Sequence, residues 1–264
     1  MRRLRVGGGL AAVAIALSGC TSVGAGPGPV RLTVLAAASL KVAFPRIGEL
    51  FTTAHPDVTV DFSFAGTDAL AAQLEQGVAA DVFAGASKKF GDELADRGFI
   101  GAYRPFCTNQ LILVLPPANP AGIASVRDLT KPGTKIVVGS ETVPIGTYTR
   151  TVLANLNATY GATFASRVLA NVVSNEDNVE GVLTKAESGE ADAGFVYVTD
   201  AKAAGPGVRT ISLPAAAQAT ATYPIAVVTA SKHPVAARQF EDFVLSAAAQ
   251  GVLRGAAFGP PPAG

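Results

Sequence analysis

Four short segments mark the points where a predicted strand or loop leads into a predicted helix, and two of them place a hydroxyl-bearing residue there. Ser39 follows "LTVLAAA", Thr67 follows "FSFAG", Ile145 follows "GSETVP" and Val179 follows "NEDN". The start of a helix leaves its first backbone N–H groups unpaired and carries about half a positive charge. Several such starts brought together, some with a Ser or Thr hydroxyl, predict a dry pocket that binds an anion through neutral donors.

Each of these residues also has a simpler interpretation. Ser and Thr are preferred N-caps in helices generally, and one cap stabilises a helix by about 1 kcal/mol. We therefore expect Ser39 to cap the helix that it opens as well as to donate to a ligand. Because two such positions occur in each half of a repeated plan, the pattern favours a shared site over four unrelated caps.

The elements that must position these residues alternate between strand and helix. From Arg31 the hydrophobic pattern predicts a β-α-β-α-β series, and after an apolar strand at "QLILVLPPANP" a second series follows the same plan. A strand at "TYPIAVVTAS" and one long helix at "HPVAARQFEDFVLSAAAQGVLRGA" complete the pattern. This order predicts an α/β fold with two doubly wound, mixed-sheet lobes.

The last strand and helix are expected to return to the first half of the chain. Residues 31–107 and 224–264 then form lobe 1, and residues 108–223 form lobe 2. Two segments cross between these lobes, near Thr108 and near Tyr223, and we predict that they form a two-segment hinge.

Enzyme signatures are sparse in this sequence. The histidines, His55 and His233, each precede a proline and have no metal-ligating neighbour at suitable spacing. The sequence contains no nucleophile elbow (G-x-S-x-G) and no P-loop, and no G-x-G-x-x-G motif follows a predicted strand. We predict a protein that is not an enzyme and has no cofactor; a serine-type hydrolase using Ser39 is the less favoured alternative, and an iron carrier is less favoured still.

The N-terminal residues resemble a secretory signal. Three arginines precede an apolar stretch that ends in Leu-Ser-Gly-Cys, which resembles a bacterial lipobox. We expect residues 1–19 to be a signal peptide, Cys20 to be lipidated, and residues 20–30 to be a flexible tether. The protein would then be anchored to the cell membrane by lipid on its extracytoplasmic side; ordinary signal cleavage, with Cys20 incidental, is the alternative.

Charge and cysteine content restrict the partners. Removal of residues 1–19 leaves 18 basic and 20 acidic side chains, a formal net charge of −2. A chain without a basic face is not expected to bind nucleic acid. Besides Cys20 the sequence has only Cys107, so no disulfide is expected within one chain, and Cys107 is predicted to be a small core residue.

Several motifs in register resemble the periplasmic molybdate-binding proteins of bacterial ABC importers. The motifs are "AAASL", "FAGTDALAAQLEQGVAADVFAGA", "VPIGTYT", "NVEGVL" and "GFVYVTDA". The resemblance implies a type II periplasmic-binding-protein fold, a monomer, molybdate and also tungstate as ligands, and a membrane permease as partner. It also implies contacts to oxyanion oxygens, and not to the metal atom, from Ser39, Thr67, the backbone of Ile145 and Val179, and the phenol of Tyr197.

Two positions depart from the pattern of that family, and two assignments have alternatives. Asp68 adds an acid beside Thr67 and must point away from a bound anion, whereas Asn178 stands where relatives commonly carry an acid. Tyr197 ends an apolar run, so packing alone would also explain it. Since the same donors suit any tetrahedral dianion, sulfate is the alternative ligand.

Overall fold

The computed structural model describes residues 28–262, which form two five-stranded mixed sheets and nine α-helices. The predicted signal peptide and Cys20 lie outside the described residues. In each sheet three neighbouring strands pair in parallel, and two further strands are joined to them through antiparallel pairings. The predicted α/β class with mixed sheets is confirmed.

The first sheet has the order β2-β1-β3-β10-β4. Its strands are β1 (Val30–Ala37), β2 (Val58–Ala65), β3 (Val82–Ala84), β4 (Arg104–Asn109) and β10 (Ala221–Val227). The helices that pack with this sheet are α1 (Ala43–Ala54), α2 (Thr67–Glu75), α3 (Lys88–Asp96), α8 (Pro234–Val244) and α9 (Ala247–Gly255). We call this sheet and its helices the first lobe.

The second sheet repeats the plan in the order β7-β6-β8-β5-β9. Its strands are β5 (Leu111–Leu115), β6 (Ile136–Gly139), β7 (Val172–Glu176), β8 (Ala193–Tyr197) and β9 (Arg209–Ile211). The helices of this second lobe are α4 (Pro144–Tyr160), α5 (Phe164–Leu169), α6 (Val179–Glu187) and α7 (Val198–Ala204). The chain passes between the lobes from β4 to β5 and from β9 to β10.

Sequence patterns account for most of these elements. The side chains of β6 and β8 are all buried, as expected for strands covered by helices on both faces. In α1 the apolar side chains of Phe44, Ile47 and Phe51 share one buried face. Because the strands of each parallel set run the same way, the helices that follow them begin at one edge of each sheet, and these two edges face each other.

Four expectations about the elements need correction or addition. The helix predicted from Ser39 begins only at Ala43, since residues 38–40 form a 3₁₀ turn. The long C-terminal helix is two helices, and the hydroxyl of Ser246 accepts the N–H of Ala249 at the start of the second. The short helices α5 and α7 were not predicted. The predicted lobe boundaries fall inside β4 and β10, and those boundaries stay a prediction.

Within residues 28–262 no helix combines the length and the apolar character needed to cross a membrane. Cys107 is a buried free thiol in β4, and burial raises its pKa well above the usual value. Its predicted place in the core is confirmed.

Candidate anion-binding site

A small cavity of about 20 Å³ lies between the two lobes, where the helices following the parallel strands begin. All five residues predicted to contact a ligand line it: Ser39, Thr67, Ile145, Val179 and Tyr197. Pockets for drug-sized molecules measure roughly 300–1,000 Å³. The cavity in this structure is far below that size, which suits a small ion. The binding role of the five residues stays a prediction.

The first lobe contributes two buried hydroxyl groups. Ser39 lies in the 3₁₀ turn after β1, and its Oγ is 2.8 Å from the Tyr223 hydroxyl of β10. The expectation that Ser39 caps a helix is wrong, because α1 begins at Ala43 and no side chain caps it. Thr67 is the first residue of α2, and its Oγ1 accepts the Ala86 N–H at 3.0 Å. Since that bond uses an acceptor lone pair, the hydroxyl proton of Thr67 is free for a ligand.

The second lobe contributes the starts of two helices. Ile145 is the second residue of α4, after Pro144, and Val179 is the first residue of α6. Helix geometry leaves the N–H groups of both residues without an intrahelical acceptor. The Asn178 carboxamide oxygen accepts the N–H groups of Glu180 (2.9 Å) and Gly181 (3.3 Å). Asn178 therefore caps α6, while the N–H of Val179 is left for a ligand.

Tyr197 ends β8 and is only 2% exposed. Its hydroxyl oxygen is buried and has no hydrogen-bond partner among residues 28–262. Leaving a buried hydroxyl unpaired costs about 1–3 kcal/mol, so the group requires an explanation. Burial raises the pKa of the phenol well above its usual value, which keeps it protonated and able to donate. An anion in the adjoining cavity would supply the missing acceptor.

No charged side chain lines the cavity in the part of the chain that the structure describes. The lining residues offer hydroxyl, amide and backbone donors together with small apolar surfaces, and this set suits an anion better than a cation. One carboxyl group lies behind the cavity: Asp200 Oδ2 accepts the Tyr197 N–H at 3.0 Å. Burial raises the pKa of Asp200 to about 7.

The lobes meet on both sides of the cavity. Lys41 Nζ of the first lobe lies 2.8 Å from Glu180 Oε1 of the second. Thr142 Oγ1 of the second lobe donates to Asp68 Oδ2 of the first at 3.1 Å. This bond draws Asp68 to the rim, and its side chain does not line the cavity. The structure is thus the closed arrangement of the two lobes.

Sequence reasoning missed the residues behind the cavity. Tyr223 contacts Ser39 across 184 residues of chain, and Asn109 Nδ2 donates both to Tyr223 Oη (3.4 Å) and to Thr199 Oγ1 (2.9 Å). A local sequence pattern carries no signal for pairs this far apart. The sequence indicates Tyr223 only as a position near the predicted hinge.

The histidines lie elsewhere. His55 and His233 line a separate groove of about 670 Å³ at the outer end of the first lobe, and none of the five predicted contact residues lines that groove. Within the described residues no cluster of His, Cys, Asp or Glu is suited to hold a metal ion.

Two α/β lobes connected by two crossing segments, with a small cavity between them, are the architecture expected of a solute-binding protein. The chain belongs to the family of bacterial extracellular solute-binding proteins, whose model matches residues 32–259. The molybdate-binding protein ModA of Mycobacterium tuberculosis (strain H37Rv) is 40% identical over 240 residues, which are 90% of this chain and 88% of that protein.

Solved structures share the fold. The periplasmic molybdate-binding protein of Azotobacter vinelandii aligns with a TM-score of 0.75 and 20% identity, covering 88% of this chain and all (100%) of that one. The sulfate-binding protein SubI of Mycobacterium tuberculosis aligns with a TM-score of 0.78 and 18% identity over 88% of this chain and 87% of its own. Two proteins named for different oxyanions therefore share this architecture, so the fold alone does not identify the anion.

Proposed function

We propose that this protein captures molybdate, and also tungstate, between its two lobes and delivers it to the permease of an ABC importer. One observation carries the proposal: donors from both lobes converge on one small uncharged cavity, where the buried Tyr197 hydroxyl lacks a partner. The 40% identity with a protein named for molybdate binding supports the choice of anion.

Neutral donors suit both capture and release. Hydrogen bonds to a charged acceptor contribute about 1.5–3 kcal/mol each, roughly twice the value for neutral pairs. The donors on Ser39 and Thr67 belong to the first lobe, and those on Ile145, Val179 and Tyr197 belong to the second. An anion that touches both sets selects the closed state, and opening of the hinge removes the contacts made by one of the two sets.

The remaining features of the proposal concern place and partners. We propose that the chain is a monomer held at the outer face of the cell membrane by lipid on Cys20. An anchored protein meets its permease at a raised effective concentration, because diffusion is confined to the membrane surface. We propose no enzymatic activity for it.

Isothermal titration with a panel of oxyanions tests the proposal. We expect molybdate and tungstate to bind at micromolar concentration or below, and about 100-fold excess sulfate to leave the molybdate isotherm unchanged. Ser39→Ala should weaken molybdate binding at least about tenfold, since one bond to a charged acceptor is lost.

Two results would change the proposal. Displacement of molybdate by equimolar sulfate would favour the second candidate, a binding protein for sulfate, because the same donors fit any tetrahedral dianion. Absence of both heat and a thermal shift with every oxyanion would reject an anion-binding function altogether.

A further inference from the structure

A buried chain of polar groups ends at Ser39, and its other two members, Asn109 and Tyr223, do not line the cavity. The chain runs from Asn109, the last residue of β4, to Tyr223 in β10 and then to Ser39. Asn109 is 2% exposed and Tyr223 is fully buried. The phenol ring of Tyr223 is held edge-on by Phe106 and Phe258, at centroid separations of 6.1 and 5.4 Å.

The orientation of the Asn109 carboxamide follows from its partners. Its Oδ1 accepts the backbone N–H of Gln110 at 3.0 Å, so Nδ2 lies on the opposite side. The two protons of Nδ2 go to Thr199 Oγ1 at 2.9 Å and to Tyr223 Oη at 3.4 Å. The bond to Tyr223 is long. Because an amide NH₂ group can only donate, Thr199 Oγ1 and Tyr223 Oη must both accept from it.

This orientation sets the direction of the next bond. Because Tyr223 Oη accepts from Asn109, the single proton of the phenol is available for Ser39 Oγ, 2.8 Å away. Burial raises the pKa of the Tyr223 phenol well above its usual value, so the proton stays in place. Ser39 then acts as acceptor toward Tyr223 and keeps its own proton for the cavity that it lines.

We propose that Tyr223, oriented by Asn109, is a positioning residue that fixes Ser39 as a hydrogen-bond donor to the bound oxyanion. The inference rests on the function proposed above. Thr67 is oriented in the same way by a single hydrogen bond, because the Ala86 N–H occupies an acceptor lone pair of its Oγ1. Both hydroxyls of the first lobe are thus held by a donor from behind, and each has its proton left for the ligand.

A double-mutant cycle with molybdate tests the inference. We expect Ser39→Ala to weaken molybdate binding about 30-fold and Tyr223→Phe about tenfold, values typical of bonds to a charged acceptor. In the Ser39→Ala background Tyr223→Phe should cost less than about twofold, since its effect passes through Ser39. Tyr160→Phe removes the hydroxyl of a half-buried tyrosine that does not line the cavity, and should leave affinity unchanged.

Three results are decisive. Equal losses from Tyr223→Phe in both backgrounds would indicate a general packing effect and overturn the inference, as would an unchanged affinity of Tyr223→Phe alone. If the unaltered protein binds no oxyanion, the proposed function itself fails and this inference falls with it. If the unaltered protein binds molybdate and the losses from Ser39→Ala and Tyr223→Phe are additive, only the positioning role of Tyr223 is rejected and the proposed function stands.

A second variant covers the case in which Tyr223→Phe does not fold. Asn109→Asp keeps an oxygen for the Gln110 N–H but replaces the donor that faces Tyr223 with an acceptor. The Tyr223 hydroxyl would then donate to residue 109 and no longer to Ser39. The added negative charge of this variant weakens anion binding whether or not Ser39 is present. We expect the loss to be at least about fivefold larger with Ser39 present than in the Ser39→Ala background; equal losses would overturn the inference.

Discussion

The two lobes face the same cavity with different kinds of donor. The first lobe presents the hydroxyls of Ser39 and Thr67, and each already has a hydrogen-bond partner within its own lobe. The second lobe presents backbone N–H groups at the starts of α4 and α6 and the Tyr197 phenol, whose hydroxyl has no partner in residues 28–262. In the proposed function the first-lobe donors therefore serve fold and ligand together, whereas the Tyr197 hydroxyl would serve the ligand alone.

This difference has an energetic meaning. A hydroxyl held from behind is oriented before the ligand arrives, so little freedom is lost on binding. An unpartnered phenol is a cost to the empty closed state, which the ligand removes. Under the proposed function we therefore expect the second lobe to disfavour closure without an anion, and the first lobe to present oriented donors when an anion is bound.

The largest expected effect comes from a change that keeps the lobes apart. A Cβ on Gly66 of the first lobe would lie within 2.4 Å of the backbone oxygen of Asp177 in the second. The backbone angles of Gly66 (φ −57°, ψ 142°) suit alanine, and the only other contact below 3 Å, to Asp68 Oδ1 at 2.7 Å, is with the end of a side chain that can move in an open form. We expect Gly66→Ala to weaken molybdate binding about 100-fold in a calorimetric titration, because closure is blocked.

Gly251 provides the matched control, since a Cβ there has open space around it. Gly251→Ala should bind molybdate within about twofold of the unaltered protein, because nothing at that position limits closure. Equal affinities for the two alanine variants would show that the lobes need not approach this closely.

A pair of substitutions compares the two lobes directly. Tyr197→Phe and Thr67→Val should each weaken molybdate binding about tenfold or more, because each removes one donor. In the ligand-free protein Thr67→Val should lower the free energy of unfolding by about 1–3 kcal/mol, since the buried Ala86 N–H loses its acceptor. Tyr197→Phe should leave that free energy unchanged or higher. Denaturant unfolding measures both, and the reverse order would contradict the contrast drawn between the lobes.

A smaller effect is expected from pH. Burial raises the pKa of Asp200 from 3.8 to about 7, so the folded protein holds a proton that the unfolded chain has lost. Its contribution to stability is full below about pH 4 and is lost as pH rises through about 7. A nearby dianion also disfavours the ionised carboxyl group, so molybdate affinity should fall a few-fold between about pH 6 and about pH 8.

Asp200→Asn is the variant that isolates this contribution. It should remove most of the pH dependence from both calorimetric affinity and thermal unfolding, because the amide does not titrate. An unaltered pH profile in this variant would place the titrating group elsewhere.

The smallest effect is expected at the rim. Lys41 and Glu180 join the two lobes, but their side chains are 58% and 41% exposed. Exposed ion pairs contribute about 0.2–1 kcal/mol and are screened by salt. Lys41→Met should therefore weaken molybdate binding less than about fivefold in dilute buffer, and the loss should shrink further in salt.

Lys89 supplies a control for the loss of a positive charge, because its partner Glu93 lies on the same helix. Lys89→Met should leave the affinity unchanged. A loss above tenfold for Lys41→Met that persists in salt would mean that the rim, and not the cavity, governs closure.

The sequence was sufficient for the architecture because apolar periodicity is local. Alternating strand and helix patterns predicted both sheets, and the strand-to-helix joins predicted Ser39, Thr67, Ile145 and Val179 as site residues. Tyr197 was predicted only through the resemblance to molybdate-binding proteins. The same local reasoning wrongly predicted that Ser39 caps a helix, because the start of an α-helix and a 3₁₀ turn can share the same sequence pattern, a hydroxyl residue after an apolar run. It also joined α8 to α9, because the helical period continues across Ser246 with little interruption.

The rest of the site depends on contacts that a linear pattern does not contain. Tyr223 reaches Ser39 only because β10 returns to the first sheet, and Asn109 reaches both Tyr223 and Thr199 at the crossing between the lobes. The missing partner of the Tyr197 hydroxyl is likewise visible only when every neighbour is in place.

The most direct test of the account is a crystal structure of the protein grown with molybdate and measured at the molybdenum absorption edge. We predict one strong anomalous peak between the lobes, with oxygens within hydrogen-bonding distance of the Ser39, Thr67 and Tyr197 hydroxyls and of the Ile145 and Val179 N–H groups. A peak elsewhere, or a closed cleft with no anomalous density at saturating molybdate, would contradict it.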